Sequence, residues 1–306
     1  MLNLLSKLPD NTRGAVIMSL SMAAFTTNDS FMKGALAEVP LFQALFLRAT
    51  LNFVMLFAVL APIIGPVRFD LSRRDWVLVV IRSMAEVGAA MCFLTAVSHM
   101  PLANATAIMQ TMPLSITIAG WMLFRDPLGW RRMVAIVVGF AGVLLIVQPG
   151  TDGFSGYALF AVLAMLCVTL RDIIVRKMHH SVPNSTVTFG AITAVWICTG
   201  IASIGQGWAP VEIKAGVQIL GSAACLIVGY VSSVAVMRVG EMSFVSPFRY
   251  TALVWALLIG LFAFGEWPNG LAFTGAAIIA GTGIYTVLRE ARLRRQMAQT
   301  TASQRA

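Results

Sequence analysis

Ten apolar runs, each of about 16 to 24 residues, succeed one another along this chain with short polar breaks between them: 14–34, 41–64, 76–98, 102–124, 133–148, 156–176, 185–205, 215–237, 242–264 and 270–288. A helix rises ~1.5 Å per residue, so roughly 20 apolar residues cross the ~30 Å of hydrocarbon in a bilayer. Inside hydrocarbon every backbone N–H and C=O must be satisfied within its own segment, which makes each run a predicted helix. The run ending SPFRYTALVWALLIGLFAFGE carries no charge from Thr251 to Phe264, and it places Arg249 inside the membrane boundary. With 58% hydrophobic residues, 11% charged residues and a mean hydropathy of +0.82, no soluble globular core fits. The fold class read from these features is all-α: a polytopic membrane protein of ten transmembrane helices.

The runs repeat. Phe124-Arg125-Asp126 answers Phe264-Gly265-Glu266 at a displacement of 140, and nine residues on Ala135 answers Gly275. At the other ends of the two halves Asp29, Lys33 and Pro40 answer Asp172, Arg176 and Pro183, all displaced by 143. The chain reads as a tandem repeat, residues 1–150 and 151–290, followed by a basic tail at 291–306. Five spans per repeat is an odd number, so the second copy is expected upside down relative to the first, an arrangement found in many secondary transporters with the binding site between the halves.

Charge sets the orientation. With a cytoplasmic N-terminus, the inner segments hold Lys7, Arg13, Arg68, Arg73, Arg74, Arg125, Arg131, Arg132, Arg176, Lys177, Arg238, Arg289, Arg292, Arg294, Arg295 and Arg305, against Lys33 and Lys214 outside. That asymmetry predicts both termini inside. The net charge of +9 is explained by these loops and the tail facing anionic lipid, so no nucleic-acid partner is inferred. The opening MLNLLSKLPDNTR carries no removable signal pattern. Cys92, Cys167, Cys198 and Cys225 all fall within spans and suggest neither a disulfide framework nor metal-ligand spacing.

Chemistry-bearing residues inside the spans are few. Asp29, with Asn28 beside it and Lys33 one turn on, lines a polar cavity in one reading and forms a local i,i+4 ion pair with Lys33 in another. Arg82 and Glu86 are one turn apart near mid-membrane and are expected to pair, Glu86 being the candidate for a proton or a cationic group and Arg82 its electrostatic tuner; the alternative is a purely structural pair. Arg48 either joins a cavity or snorkels to the interface. Gln110 lies on a span interrupted by Pro113, which frees a backbone carbonyl and bends the helix. Asp172 repeats the acid of span one, with Arg171 beside it. Arg249 and Tyr250 are placed at the level of the segment around Gln110 but on the opposite side. There Arg249 would bind an anionic group with its aromatic neighbours stacking on a ring, or else snorkel from an interfacial belt. Ala135, Gly139 and Gly142 in span five and Gly275, Gly281 and Gly283 in span ten read as helix-packing faces. His179 and His180 read as part of a solvated loop.

The duplicated endings FRDPLGW and FGEWPNG, with SHMPLANATAIMQTMPL, GFAGVLLIVQPG and SPFRYTALVWALLIG, resemble the drug/metabolite transporter superfamily in its EamA-type ten-helix form. The resemblance covers nearly the whole chain. One departure is Asp126, where a Glu is usual. What the resemblance implies is an inner-membrane carrier of small organic solutes working by alternating access, its cavity lined by spans one, three, four, six, eight and nine, with spans five and ten peripheral. Carried onto this chain, the substrate or coupling residues are Asp29, Glu86, Gln110, Asp172, Arg249 and Tyr250, with Arg82 added from its pairing.

Transport is therefore the expected function, with lipid bilayer and a small-molecule substrate as partners and a second copy of the chain as a candidate one. No cofactor, metal or catalytic residue is inferred. Arg82, Arg171 and Arg249 balance Asp29, Glu86 and Asp172, which argues against a permanently cationic drug and toward a neutral or anionic aromatic metabolite such as riboflavin. The alternatives are export of amino acids or drugs, a passive channel, and an intramembrane enzyme using its buried acids. The last lacks HExxH, GxSxG, a phosphate loop and an aspartate-rich metal pair.

Overall fold

The computed structural model describes residues 9–55, 67, 69–125, 129–148, 155–179, 182–236 and 245–303, all helical or connecting, with no strand among them. Lys7, Arg68, Asp126, His180, Arg238 and Arg305, and the run from 56 to 64, lie outside the described residues, as do the side chains of Arg132, Arg294 and Arg295. The helices are α1 (Asp10–Ala35), α2 (Leu41–Met55), α3 (Arg73–His99), α4 (Leu102–Met109), α5 (Met112–Phe124), α6 (Trp130–Val147), α7 (Tyr157–Lys177), α8 (Asn184–Gln206), α9 (Ile213–Val236), α10 (Thr251–Phe264) and α11 (Gly270–Ser303). A 3-10 helix, Ser246–Tyr250, leads into α10.

Among the described residues, seven stretches are long and apolar enough to cross a membrane, α4 with α5 and the 3-10 helix with α10 each counting as one. Leu41–Met55 and Met133–Val147 are shorter apolar helices. α1 is not among the seven; Asn28 and Asp29 sit in its body and lower its hydropathy. The chain is a multi-pass helical membrane protein. Its outer surface is apolar, with Val137, Ile201, Ile204 and Phe262 all well exposed.

Local signals explain where helices begin and stop. Ser72 caps α3, its hydroxyl accepting from the Asp75 N–H at 3.1 Å and donating to the Asp75 carboxylate at 2.7 Å. α5 ends at Arg125 with φ 56° and α10 at Gly265 with φ 63°, so the two residues matched at a displacement of 140 are both left-handed caps. The break between α4 and α5 falls immediately before Pro113, where the chain tightens through hydrogen bonds from the Gln110 N–H to Thr106 and Ala107 oxygens. There the buried Thr111 hydroxyl donates to the Ile108 carbonyl at 2.7 Å.

Packing follows a regular scheme. α1 lies along α9 and α3 along α7; α2 packs on α8, α6 on α11, and α10 on α4 and α1. The α6 and α11 backbones approach each other closely at Gly142 and Gly275. A Cβ at Gly142 would stand 2.9 Å from the Gly275 carbonyl oxygen, so neither position has room for a side chain. Gly139 and Ala135 share that face, as expected. Gly281 departs from expectation: among the described residues nothing stands within 4 Å of where its Cβ would be.

Candidate functional site

A network of charges links α3 to α7. Arg82 Nη2 lies 3.3 Å from Glu86 Oε2, the expected i,i+4 pair. Arg171, from α7, donates Nη1 to both Glu86 oxygens at 3.2 and 3.3 Å and Nε to Asp172 at 2.9 Å. The side chains of these four residues are between 15 and 34% exposed, so the network is partly desolvated but not sealed. Charges so placed in an apolar bundle are costly unless they pair, and here Glu86 is shared between two guanidiniums. Arg82 keeps Nε and Nη1 buried without a partner among the described residues.

Around this core stand groups from other helices. Arg48 on α2 is in electrostatic reach of Asp29, Tyr230 and Glu86, and Tyr230 on α9 is in reach of Glu86, Arg171, Arg82 and Arg48. The Tyr230 ring meets Phe25 edge-on at 5.6 Å. Asp29 accepts from Asn28 Nδ2 at 2.8 Å, and Asn28 in turn accepts from the Ser222 hydroxyl at 2.6 Å, tying α1 to α9. Three guanidiniums, from Arg48, Arg82 and Arg171, thus gather with three carboxylates, from Asp29, Glu86 and Asp172. Arg48, read from the sequence as either a cavity or an interfacial residue, stands in reach of these acids, whereas the Arg249 side chain is exposed.

A second polar site closes one end of the bundle. Lys33 Nζ reaches Glu266 Oε1 at 2.5 Å and the Met100 carbonyl at 2.8 Å, and lies 5.2 Å from the centroid of the Phe264 ring. Glu266 Oε2 accepts from the Leu102 N–H at 3.1 Å, capping α4. The ends of α1, α3, α4 and α10 therefore meet on a single lysine. This overturns the local Asp29–Lys33 pair: the long lysine chain finds a better partner across the bundle than four residues back along its own helix. At the opposite end Arg176 lies 4.3 Å and Lys177 5.7 Å from the Phe124 centroid. Phe124 and Phe264 are the matched pair at 140, and Lys33 and Arg176 the matched pair at 143.

Gln110, Arg249 and Tyr250 are placed differently from the sequence reading. Gln110 Nε2 donates to the Arg249 carbonyl at 3.0 Å, so the break in one span touches the 3-10 start of the other instead of lying opposite it. The Arg249 side chain is exposed. Tyr250 does not join the charged network. Its ring is buried in the apolar core with Ile108, Ile146 and Ile279, its hydroxyl sits against Gly283, and it has no hydrogen-bond partner among the described residues. The sequence reading missed Tyr230 and the Lys33–Glu266 contact. Only the last left a trace, in the matched acids ending the two spans. Among the described residues no group of three or more His, Cys, Asp or Glu side chains is placed to hold a metal ion.

Residues 12–148 match the EamA-like transporter family. This segment is an EamA domain of the drug/metabolite transporter superfamily. The S-adenosylmethionine uptake transporter of Rickettsia conorii is 28% identical over 193 residues, 62% of this chain and 64% of that protein. The riboflavin transporter of Rhizobium johnstonii is 25% identical over 199 residues, 65% of this chain and 66% of that protein. The pseudopaline exporter of Pseudomonas aeruginosa is 19% identical over 277 residues, covering 87% of this chain and 93% of its own. The chain thus spans just under two thirds of the length of the first two relatives. A solved crystal structure superposes with a TM-score of 0.59 at 19% identity, over 90% of this chain and 96% of its own, and so shares the fold that holds the EamA domain.

Proposed function

We propose that this protein is a secondary transporter that moves a small organic metabolite across the bacterial inner membrane by alternating access. In this reading ten spans form two inverted repeats, 1–150 and 151–290, with both termini cytoplasmic. The observation that carries it is the bridge from Arg171 on α7 to Glu86 on α3, which joins the two halves through a charge network inside the apolar bundle. Polar groups so placed are expensive to keep and mark a solute or ion path. The packing scheme supports the repeat, because exchanging each span for the one five places on turns α1 on α9 into α7 on α3, and leaves α2 on α8 and α6 on α11 paired as before. Cation-on-ring contacts at both ends, Lys33 with Phe264 and Arg176 with Phe124, obey the same exchange.

For the substrate, the balanced charges of the network favour a neutral or zwitterionic metabolite over a permanent cation. Two relatives are named for S-adenosylmethionine and riboflavin, both heteroaromatic, which supports an aromatic metabolite as the cargo; of the two, uncharged riboflavin fits the balanced network, whereas S-adenosylmethionine carries a permanent sulfonium charge. Glu86 and Asp29 are the coupling carboxylates in this reading, Glu86 held by Arg82 and Arg171 and Asp29 by Asn28 with Arg48 in reach, and Gln110, Asp172 and Arg249 line the path. The test is counterflow in sealed proteoliposomes preloaded with unlabelled riboflavin or S-adenosylmethionine. Saturable uptake of the labelled compound, recovered chemically unchanged, supports a carrier. Flux without saturation or counterflow means a channel, and a modified solute means an enzyme.

A further inference from the structure

At the end of the bundle that carries Arg125, Arg131, Arg176 and Lys177, α6 and α11 diverge and leave a groove of about 320 Å³. Its walls are Val134, Val138, Gly281 and Tyr285, and its mouth is Trp130, 72% exposed, with Arg131 lying 5.3 Å from the indole centroid. The groove exists because Gly281 has no side chain: nothing occupies the space in front of its Cα, whereas Gly275, lower on the same helix, is pressed against Gly142. α11 does not end at the membrane boundary but continues to Ser303. Spacing of four, eight and eleven residues from Gly281 puts Tyr285, Arg289 and Arg292 on the groove's own face. An apolar slot therefore runs out, past an aromatic pair at interfacial depth, into three arginines.

We infer that this groove is a binding site for an anionic phospholipid, the acyl chain lying along Val134, Val138 and Gly281 and the phosphate meeting Arg131, Arg289 and Arg292. Charge complementarity selects the occupant. A zwitterionic lipid could fill the slot equally well but would bring no net charge to the arginines. The site lies on the α6–α11 pair, away from the Glu86 network, and stands whether or not the transport reading does.

Native mass spectrometry of the full chain released from detergent tests it, with dioleoyl-phosphatidylglycerol and dioleoyl-phosphatidylcholine added at equal concentration. The expected result is at least fivefold more retained phosphatidylglycerol than phosphatidylcholine. That excess should fall at least threefold in R131Q/R289Q/R292Q and in Gly281→Leu, whose Cβ meets nothing within 4 Å and whose side chain extends into the slot. If the triple variant does not fold, Gly281→Leu decides alone. Equal retention of the two lipids, or phosphatidylglycerol retention unchanged by Gly281→Leu, overturns the site. So does a dimer mass that Gly281→Leu abolishes without lipid selectivity, which would make the groove a contact between copies of the chain.

Discussion

Arg171 Nη1 reaches across from α7 to both carboxylate oxygens of Glu86 on α3, at 3.2 and 3.3 Å, while Arg82 approaches the same carboxylate from one turn away. One acid thus holds two guanidiniums, and removing it takes away the Arg82 ion pair and leaves Arg171 with Asp172 alone. Glu86→Gln should destabilise the folded protein by about 1–3 kcal/mol, less than the ~3–5 kcal/mol of a fully buried pair because these groups keep some exposure. In a double-mutant cycle with Arg171→Gln, part of that loss should be recovered, giving a coupling of about 1 kcal/mol or more. Thermal melts of the four proteins in one detergent measure it. Strict additivity would mean that the contact carries no energy.

If Glu86 also carries the coupling proton, Glu86→Gln should leave the protein inserted but remove any response of uptake to an imposed pH gradient. Proteoliposomes acidified on one side provide the measurement. A gradient response as large as that of the parent would leave Glu86 a structural role alone.

Lys33 ties four helix ends together through Glu266, Met100 and Phe264. Lys33→Met and Glu266→Gln should each loosen that end, and a cysteine placed at Leu102, fully buried behind the contact, should react several-fold faster with an impermeant maleimide. Unchanged labelling in both variants would show that the apolar packing around Met32 and Leu94, not the ion pair, closes this end.

Gly265 and Arg125 occupy equivalent left-handed caps, one paying no Cβ penalty and the other paying it. Gly265→Ala should cost about 1 kcal/mol, all of it conformational because nothing stands within 4 Å of the added carbon. Arg125→Gly should stabilise by roughly 1 kcal/mol or less, the relieved left-handed strain of ~1–2 kcal/mol being offset in part by the greater freedom of glycine in the unfolded chain. Denaturation midpoints test the pair; a gain from Gly265→Ala would contradict the assigned φ.

Tyr250 is buried with its hydroxyl unpaired among the described residues. Tyr250→Phe should therefore leave stability equal or slightly higher and apparent substrate affinity unchanged. A tenfold loss of affinity would return Tyr250 to the transport path.

Much of this architecture was legible in the sequence because bilayer thickness and backbone hydrogen bonding impose it locally. Every apolar run that falls on described residues became a helix, the span interrupted at Pro113 is broken there, and Phe124 and Phe264 end their helices in the same cap. The i,i+4 pairing of Arg82 with Glu86 was legible for the same reason, since helical geometry alone brings the two together. What lies between helices was not. That Arg171 completes the Glu86 network, that Arg48 and not Arg249 supplies its third cation, that Lys33 prefers Glu266 to Asp29, and that Tyr250 faces Gly283 are all outcomes of how the helices pack. Each depends on the rotation of a helix about its own axis, which a run apolar on all sides does not encode. The sequence by itself determined the spans, their breaks and the residues too polar to face lipid; tertiary packing decided which of those residues meet, because only it sets which face of each helix turns inward.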